Sequence, residues 1–188
     1  MPHRYNTNSF SSGQAEYPGD DMIVSLFCSI STANVANTIA HELGHNLRLR
    51  HGGNDGCNYK PNYNSVMNYK YQFPGVDTDC NPFGNGVLDY SRAARIDHDE
   101  NALDENVGMC SSPVVPVDWN SNGTTNDTPL VYDLNSLDNS SCPGVLTVLR
   151  DYNDWAILYY AALSTSLYMP ARIIDCNDRV PAPKPDER

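Results

Sequence analysis

The chain has 188 residues, enough for one domain with its own core. Twelve Lys and Arg stand against 23 Asp and Glu, a formal net charge of −11, which repels a polyphosphate backbone and excludes nucleic acid as a partner. Six cysteines, at positions 28, 57, 80, 110, 142 and 176, contain no C-x-x-C pair, so they read as disulfides rather than a zinc ribbon, and disulfides imply a secreted or otherwise extracytoplasmic chain.

Residues 1–20 are rich in Asn, Ser, Gly and Pro, and no basic start followed by an apolar core occurs in the first 30, so an exported form is expected to have lost its leader. Met22 to Phe27 is a β-favouring run and is predicted as a strand. Ser29 to Thr32 offers N-cap candidates, after which Val35, Ile39, Leu43 and Leu47 recur every fourth residue. That spacing predicts a helix over 33–47 with these four side chains as its buried stripe. From 52 to 110, Gly, Asn, Pro and Asp dominate without a period, so an irregular region is expected, with Cys57 pairing to Cys80 across its first half. Residues 118–145 are again turn-rich, and their glycosylation triplets at Asn122, Asn126 and Asn139 carry weight only in a eukaryotic secretory host. A second helix is predicted over 151–167; the apolar run inside it, Trp155 to Leu163, is far too short to cross a bilayer. The Pro-rich end, 181–188, has nothing to bury and reads as a flexible tail.

The chemistry is concentrated in "HELGHNLRLRHGG", residues 41–53. On a helix, His41 and His45 lie one turn apart on one face, so both imidazoles reach one ion about 2 Å away. Glu42 then faces the open side of that ion, where a carboxylate can take a proton from water. His51 follows His45 by six residues, and Ser65-Val-Met67-Asn-Tyr69 lies further on.

In these residues the chain resembles the metzincin clan of zinc endopeptidases, whose signature is H-E-x-x-H-x-x-G-x-x-H followed by a methionine-containing turn. His41, Glu42, His45, His51 and Met67 match it in order and separation, and the resemblance covers mainly residues 14–90. It implies that His41, His45 and His51 bind Zn2+, that Glu42 is the general base, that Met67 sits in a turn beneath the metal, and that Tyr69 stabilises the oxyanion. It also implies an α+β, two-lobe domain cleaving protein or peptide substrates, in which residues 13–24 supply the edge strand that pairs with substrate and the strand before the helix. Residues 1–51 would then form an upper lobe, a small mixed sheet with the active-site helix, shortened because only 40 residues precede His41. Residues 52–180 would form an irregular, disulfide-held lower lobe carrying the methionine turn. The chain is expected to act as a monomer.

Arg48 departs from the pattern, standing where the family's glycine turns the chain in a left-handed conformation; arginine there costs about 1 to 2 kcal/mol. Either the turn forms under strain, or the helix runs on and His51 never reaches the ion. In the lower lobe, Asp118, Asn120 and Asn122 with Gly123 occupy positions 1, 3, 5 and 6 of a calcium-type loop, with Asp127 or Asp133 needed to complete the shell because Pro129 stands at position 12. Three readings follow: a zinc endopeptidase, a catalytically impaired zinc-binding scaffold of the same type, and a calcium-stabilised interaction module.

Overall fold

The computed structural model describes residues 11–26 and 31–158. Its elements in chain order are β1 (Gly13–Ala15), β2 (Met22–Val24), α1 (Thr32–Asn46), α2 (Tyr69–Gln72), β3 (His98–Asp99), β4 (Val148–Leu149) and α3 (Asp154–Ile157). This is a small α+β arrangement with two two-stranded sheets. Both sheets are antiparallel, so the expected mixed sheet is not found among the described residues. The strand expected over 22–27 ends at Val24, and the second helix is described only as α3; its remainder, Cys28, Cys176 and the tail lie outside the described residues.

β1 pairs with β2 in the register Gly13 to Val24, Gln14 to Ile23 and Ala15 to Met22, and this hairpin packs on α1. Glu16 holds the hairpin turn, its carboxylate accepting from the amides of Asp20 and Asp21 at 3.2 and 3.4 Å. α1 starts where the sequence indicated, with the Ser31 side chain accepting from the Asn34 amide at 3.2 Å.

The buried face of α1 is not the predicted one. Val35, Ile39 and Leu43 are 36%, 41% and 42% exposed, and Leu47 is only half-buried. Asn37, Thr38, His41, Glu42, Gly44 and Asn46 are buried instead. A four-residue period defines a face but not its cover, and here the hairpin and the segment 63–69 pack against the polar side. Gly44 makes that approach possible, because a Cβ there would stand 2.1 Å from Met67 Sδ.

Two apolar clusters lie below α1. Leu49, Tyr63 and Met67 pack with Tyr90, Tyr152 and Leu158; Cys80, Leu103, Met109, Cys110, Val117 and Trp119 form the other. The expected Cys57–Cys80 bridge is corrected: Cys57 pairs with Cys142 and Cys80 with Cys110. Closing a loop of 85 residues removes denatured-state entropy worth about 4 to 5 kcal/mol, so the first of these bridges holds a region that has little regular structure of its own. Proximity in sequence was a poor guide because the chain returns on itself before residue 142.

Between 52 and 158, buried side chains satisfy the backbone where a sheet would otherwise do so. Asn62 Nδ2 donates to the carbonyls of Ile96 and Leu149 at 2.8 and 2.9 Å. Glu100 accepts from the amides of Leu134 and Thr147 at 2.7 and 2.9 Å, and Glu105 from those of Trp119 and Asp127 at 2.8 and 3.1 Å.

His98 is 5% exposed against the edge of Trp119, with no hydrogen-bond partner on Nε2 among the described residues, and burial pushes its pKa down from 6.5 to about 4. The unfolded chain therefore takes up the proton first: the stability from neutral His98 is complete above 6.5, falls with pH, and levels off below about 4. The full loss is about 3 kcal/mol. Urea midpoints measured across this range with chelator present will show that slope, and His98→Phe will remove it.

Candidate metal centre

α1 carries His41 and His45 on its buried face, and its last turn delivers the third histidine. Arg48 donates its amide to His45 O at 2.9 Å and Leu49 donates to Gly44 O at 2.8 Å, the paired bonds of a Schellman ending. Arg48 occupies the left-handed position with φ 75°. Of the two outcomes open at this residue, the chain takes the strained turn. Burial of Leu49, 1% exposed, and the Tyr17 hydroxyl donating to Arg48 O at 3.1 Å hold it there. Arg50 and Gly53 then exchange two backbone bonds of 2.8 and 2.9 Å, and the tight turn between them presents His51. Gly53 is needed here, at φ 88° with Tyr152 pressed against it.

One ring nitrogen from each of His41, His45 and His51 lies within 4.8 Å of the others, a group that could hold a metal ion. Nδ1 of His41 donates to Val66 O and Nδ1 of His45 donates to Leu49 O, both at 2.8 Å. Each bond assigns the ring proton to Nδ1, so the two Nε2 atoms, 3.2 Å apart, face one another with lone pairs only. Two such lone pairs repel unless a cation lies between them, and two nitrogens on one tetrahedral zinc ion stand roughly 3.3 Å apart. The donor set and spacing therefore fit a divalent ion. Burial, with neighbouring His45 adding to it, pushes His41 down to about 3; His51 falls to about 4 for the same reasons, and His45 falls by burial. All three imidazoles are neutral near pH 7, the form that binds metal.

Met67 is wholly buried under Gly44, and Val66 beside it supplies the carbonyl that orients His41, so the methionine turn acts on the centre through one hydrogen bond. Tyr69 starts α2 with its ring centroid 4.4 Å from that of His51 and 5.5 Å from that of His41, and it is 40% exposed. Glu42 is 4% exposed, and desolvation pushes its carboxyl up to about 7. A cavity of about 300 Å3 lies beside it, lined by Ser11, Ser12, His41, Glu42, Tyr69 and Gln72.

Several residues of the centre's support carry no sequence signal. Asp154, fully buried, accepts from the Tyr63 hydroxyl at 2.9 Å, the Ser65 hydroxyl at 2.7 Å and the Ser91 amide at 2.9 Å, directly beneath the methionine turn. Lys60 Nζ reaches Gly52 O at 2.9 Å and fixes the loop after His51. The one local signal that could have pointed to the close contact with Met67 is the glycine at position 44.

Asp118, Asn120, Asn122 and Asp127 are also brought together. Asn120 and Asn122 donate their amide nitrogens to Asp127 Oδ2 at 2.9 and 2.7 Å, while Asp118 accepts from the amides of Asn122 and Gly123 at 3.1 and 2.8 Å. Amide N–H groups thus meet the Asp127 oxygen that a cation would need, and the arrangement closes the loop without an ion. Asp133 accepts from Asn139 at 2.8 Å instead of joining this group.

Fold and site together define an α+β chain with a three-histidine centre able to hold a metal ion. Comparison with models of protein families, with curated proteins and with solved structures gives no match. No helix among the described residues is long and apolar enough to cross a membrane, and the disulfides Cys57–Cys142 and Cys80–Cys110 suit an oxidising environment.

Proposed function

We propose that this chain is a zinc-dependent endopeptidase of metzincin type, secreted or otherwise extracytoplasmic, that hydrolyses peptide bonds in protein or peptide substrates as a monomer. The observation that carries the reading is the pair of Nε2 lone pairs facing each other at 3.2 Å, with His51 and the buried Glu42 beside them. His41, His45 and His51 would hold the ion. Zinc supplies Lewis acidity, lowering the pKa of water toward neutrality and polarising the scissile carbonyl. Glu42 accepts the proton of the attacking water and delivers it to the leaving amine. Tyr69 donates its phenolic hydrogen to the carbonyl oxygen as that atom gains negative charge. An extended substrate runs along β1, whose backbone comes so close to Glu42 that a Cβ on Gly13 would lie 2.5 Å from Oε1.

The test is zinc stoichiometry by elemental analysis together with cleavage of quenched peptides with and without chelator. One zinc per chain and chelator-sensitive cleavage support the reading; cleavage unaffected by complete zinc removal overturns it.

The impaired-scaffold reading turns on Arg48. Because His51 already reaches the other histidines, Arg48→Gly is expected to relieve about 1 kcal/mol of left-handed strain and raise the urea midpoint while leaving hydrolysis nearly unchanged. A steep rise in hydrolysis at constant zinc content would identify the natural chain as the impaired form. The calcium-module reading predicts no stoichiometric zinc. It also requires Asn120 and Asn122 to turn their amide oxygens toward the ion, which the same elemental analysis checks through calcium content.

A further inference from the structure

Tyr69 is held at the metal centre by the segment that runs between His51 and the methionine turn. Its amide donates to the Asn58 side-chain oxygen at 3.0 Å, and the same oxygen accepts from the Tyr59 amide at 2.9 Å. Asn58 is 1% exposed and follows Cys57, which is bridged to Cys142, so this oxygen is fixed by burial and by a covalent neighbour. Tyr69 opens α2, a helix of four residues, and an amide at that position has no carbonyl to bond within its own helix. Asn58 supplies the missing acceptor. The Asn68 side chain takes the next amide, that of Lys70, at 3.1 Å. Two asparagines thus set the first turn of α2, and with it the direction in which the Tyr69 side chain leaves the backbone.

Tyr59 shows that this support is maintained at a cost. Its φ is 58°, a left-handed conformation that a Cβ disfavours. Strain of this kind persists where the surroundings over-determine it, and it gathers at functional sites. Here the Asn58 oxygen holds the strained amide, and the Tyr59 ring stands edge-on to Tyr69 with centroids 6.0 Å apart. Tyr69 in turn has its ring centroid 4.4 Å from that of His51 and 5.5 Å from that of His41. A half-exposed phenol beside a cleft needs such restraints, one on its amide and one on its ring, to keep a single direction.

We infer that Asn58 is a positioning residue for hydrolysis, assisted by the strained Tyr59: acting through Tyr69, it sets where the phenolic hydroxyl stands when the substrate carbonyl gains charge. The inference rests on the zinc-peptidase reading above and extends it to residues outside the metal centre. A reacting group displaced by an ångström can lose on the order of 10²-fold in rate. An interaction made only in the transition state is lost from kcat and leaves KM in place.

In the zinc-loaded full chain, Asn58→Ala is therefore expected to lower kcat about tenfold with KM and zinc content unchanged, and to speed hydrogen exchange at the Tyr69 amide about tenfold. Asn58→Asp, which keeps an oxygen for both amides, should retain most of kcat. In a Tyr69→Phe background Asn58→Ala should cost nothing further, because the group it positions is gone. Tyr59→Asn removes the ring, and asparagine takes left-handed backbone more readily than tyrosine. Its kcat should fall several-fold with a urea midpoint no lower than that of the natural chain, a combination that poor folding does not produce. Should Asn58→Ala fail to fold, Tyr59→Asn carries the test, and an unchanged kcat there overturns the inference. An unchanged kcat or an unchanged Tyr69 exchange rate in a folded Asn58→Ala also overturns it, as does an equal loss in the Tyr69→Phe background or loss of zinc along with activity. These failures leave the peptidase reading standing as long as the natural chain cleaves quenched peptides; a natural chain that holds zinc and cleaves none removes both.

Discussion

Glu42→Ala is expected to lower the proposed peptide hydrolysis by about 10³-fold while zinc content stays as in the natural chain. The two observables separate because Glu42 is not one of the three nitrogen donors; it stands beside them at the cavity. Removing it takes away the only carboxylate lining that cavity among the described residues, so in the proposed reaction the attacking water would lose its proton to bulk solvent and the leaving amine would collect one from it. The fold should not suffer. Glu42 is buried, and desolvation alone raises its pKa to about 7, so the natural side chain carries a burial cost that alanine lacks. A urea midpoint equal to or above that of the natural chain is therefore expected alongside the lost turnover. Full activity in Glu42→Ala would end the proposed mechanism, and lost zinc would show that the carboxylate also shapes the metal centre.

Asp154→Ala is expected to cost about 4 kcal/mol of stability. Three donors converge on this carboxylate from distant parts of the chain: Tyr63 and Ser65 from the methionine turn, and the Ser91 backbone. Alanine leaves two hydroxyls and an amide buried without an acceptor, and it opens a void between Tyr63, Ser65 and Ser91. The damage should reach the metal. Ser65 Oγ also accepts from the Met67 amide at 3.2 Å, and the intervening Val66 carbonyl orients His41, so a loosened turn frees that imidazole. Urea unfolding will read the first effect, and zinc retention against a competing chelator the second. Asp154→Asn, which keeps one acceptor oxygen, should recover part of both; an unchanged midpoint in Asp154→Ala would refute the assigned role.

These two residues also mark how far the sequence could be read. Glu42 was legible because its partners are local: on any helix His41, Glu42 and His45 keep fixed relative directions, whatever packs around them. Asp154 was not, because nothing in Asp-Tyr-Asn-Asp-Trp distinguishes a surface turn from a residue that ties Tyr63, Ser65 and Ser91 together. The same limit applies to Asn62, Glu100 and Glu105. Read singly they look like loop residues, yet each is buried and stands in for the ladder bonds of a sheet. The calcium-type loop shows the reverse. Its spacing brings four side chains together as expected, but hydrogen bonds among them account for the geometry.

By itself the amino-acid order determined the elements whose geometry is set within a few residues: the helix capped near Ser31 and two imidazoles one turn apart on it, while the left-handed bend at Arg48 was one of two outcomes it left open. Tertiary structure decided everything that depends on which distant segment arrives. It turned the histidine face of α1 inward and left Val35, Ile39 and Leu43 exposed, joined Cys57 to Cys142, and placed Asp154 under the methionine turn. Backbone torsions and side-chain directions propagate reliably over one or two helical turns. Contacts across tens of residues are selected by the packing of the whole chain, and no local pattern encodes them.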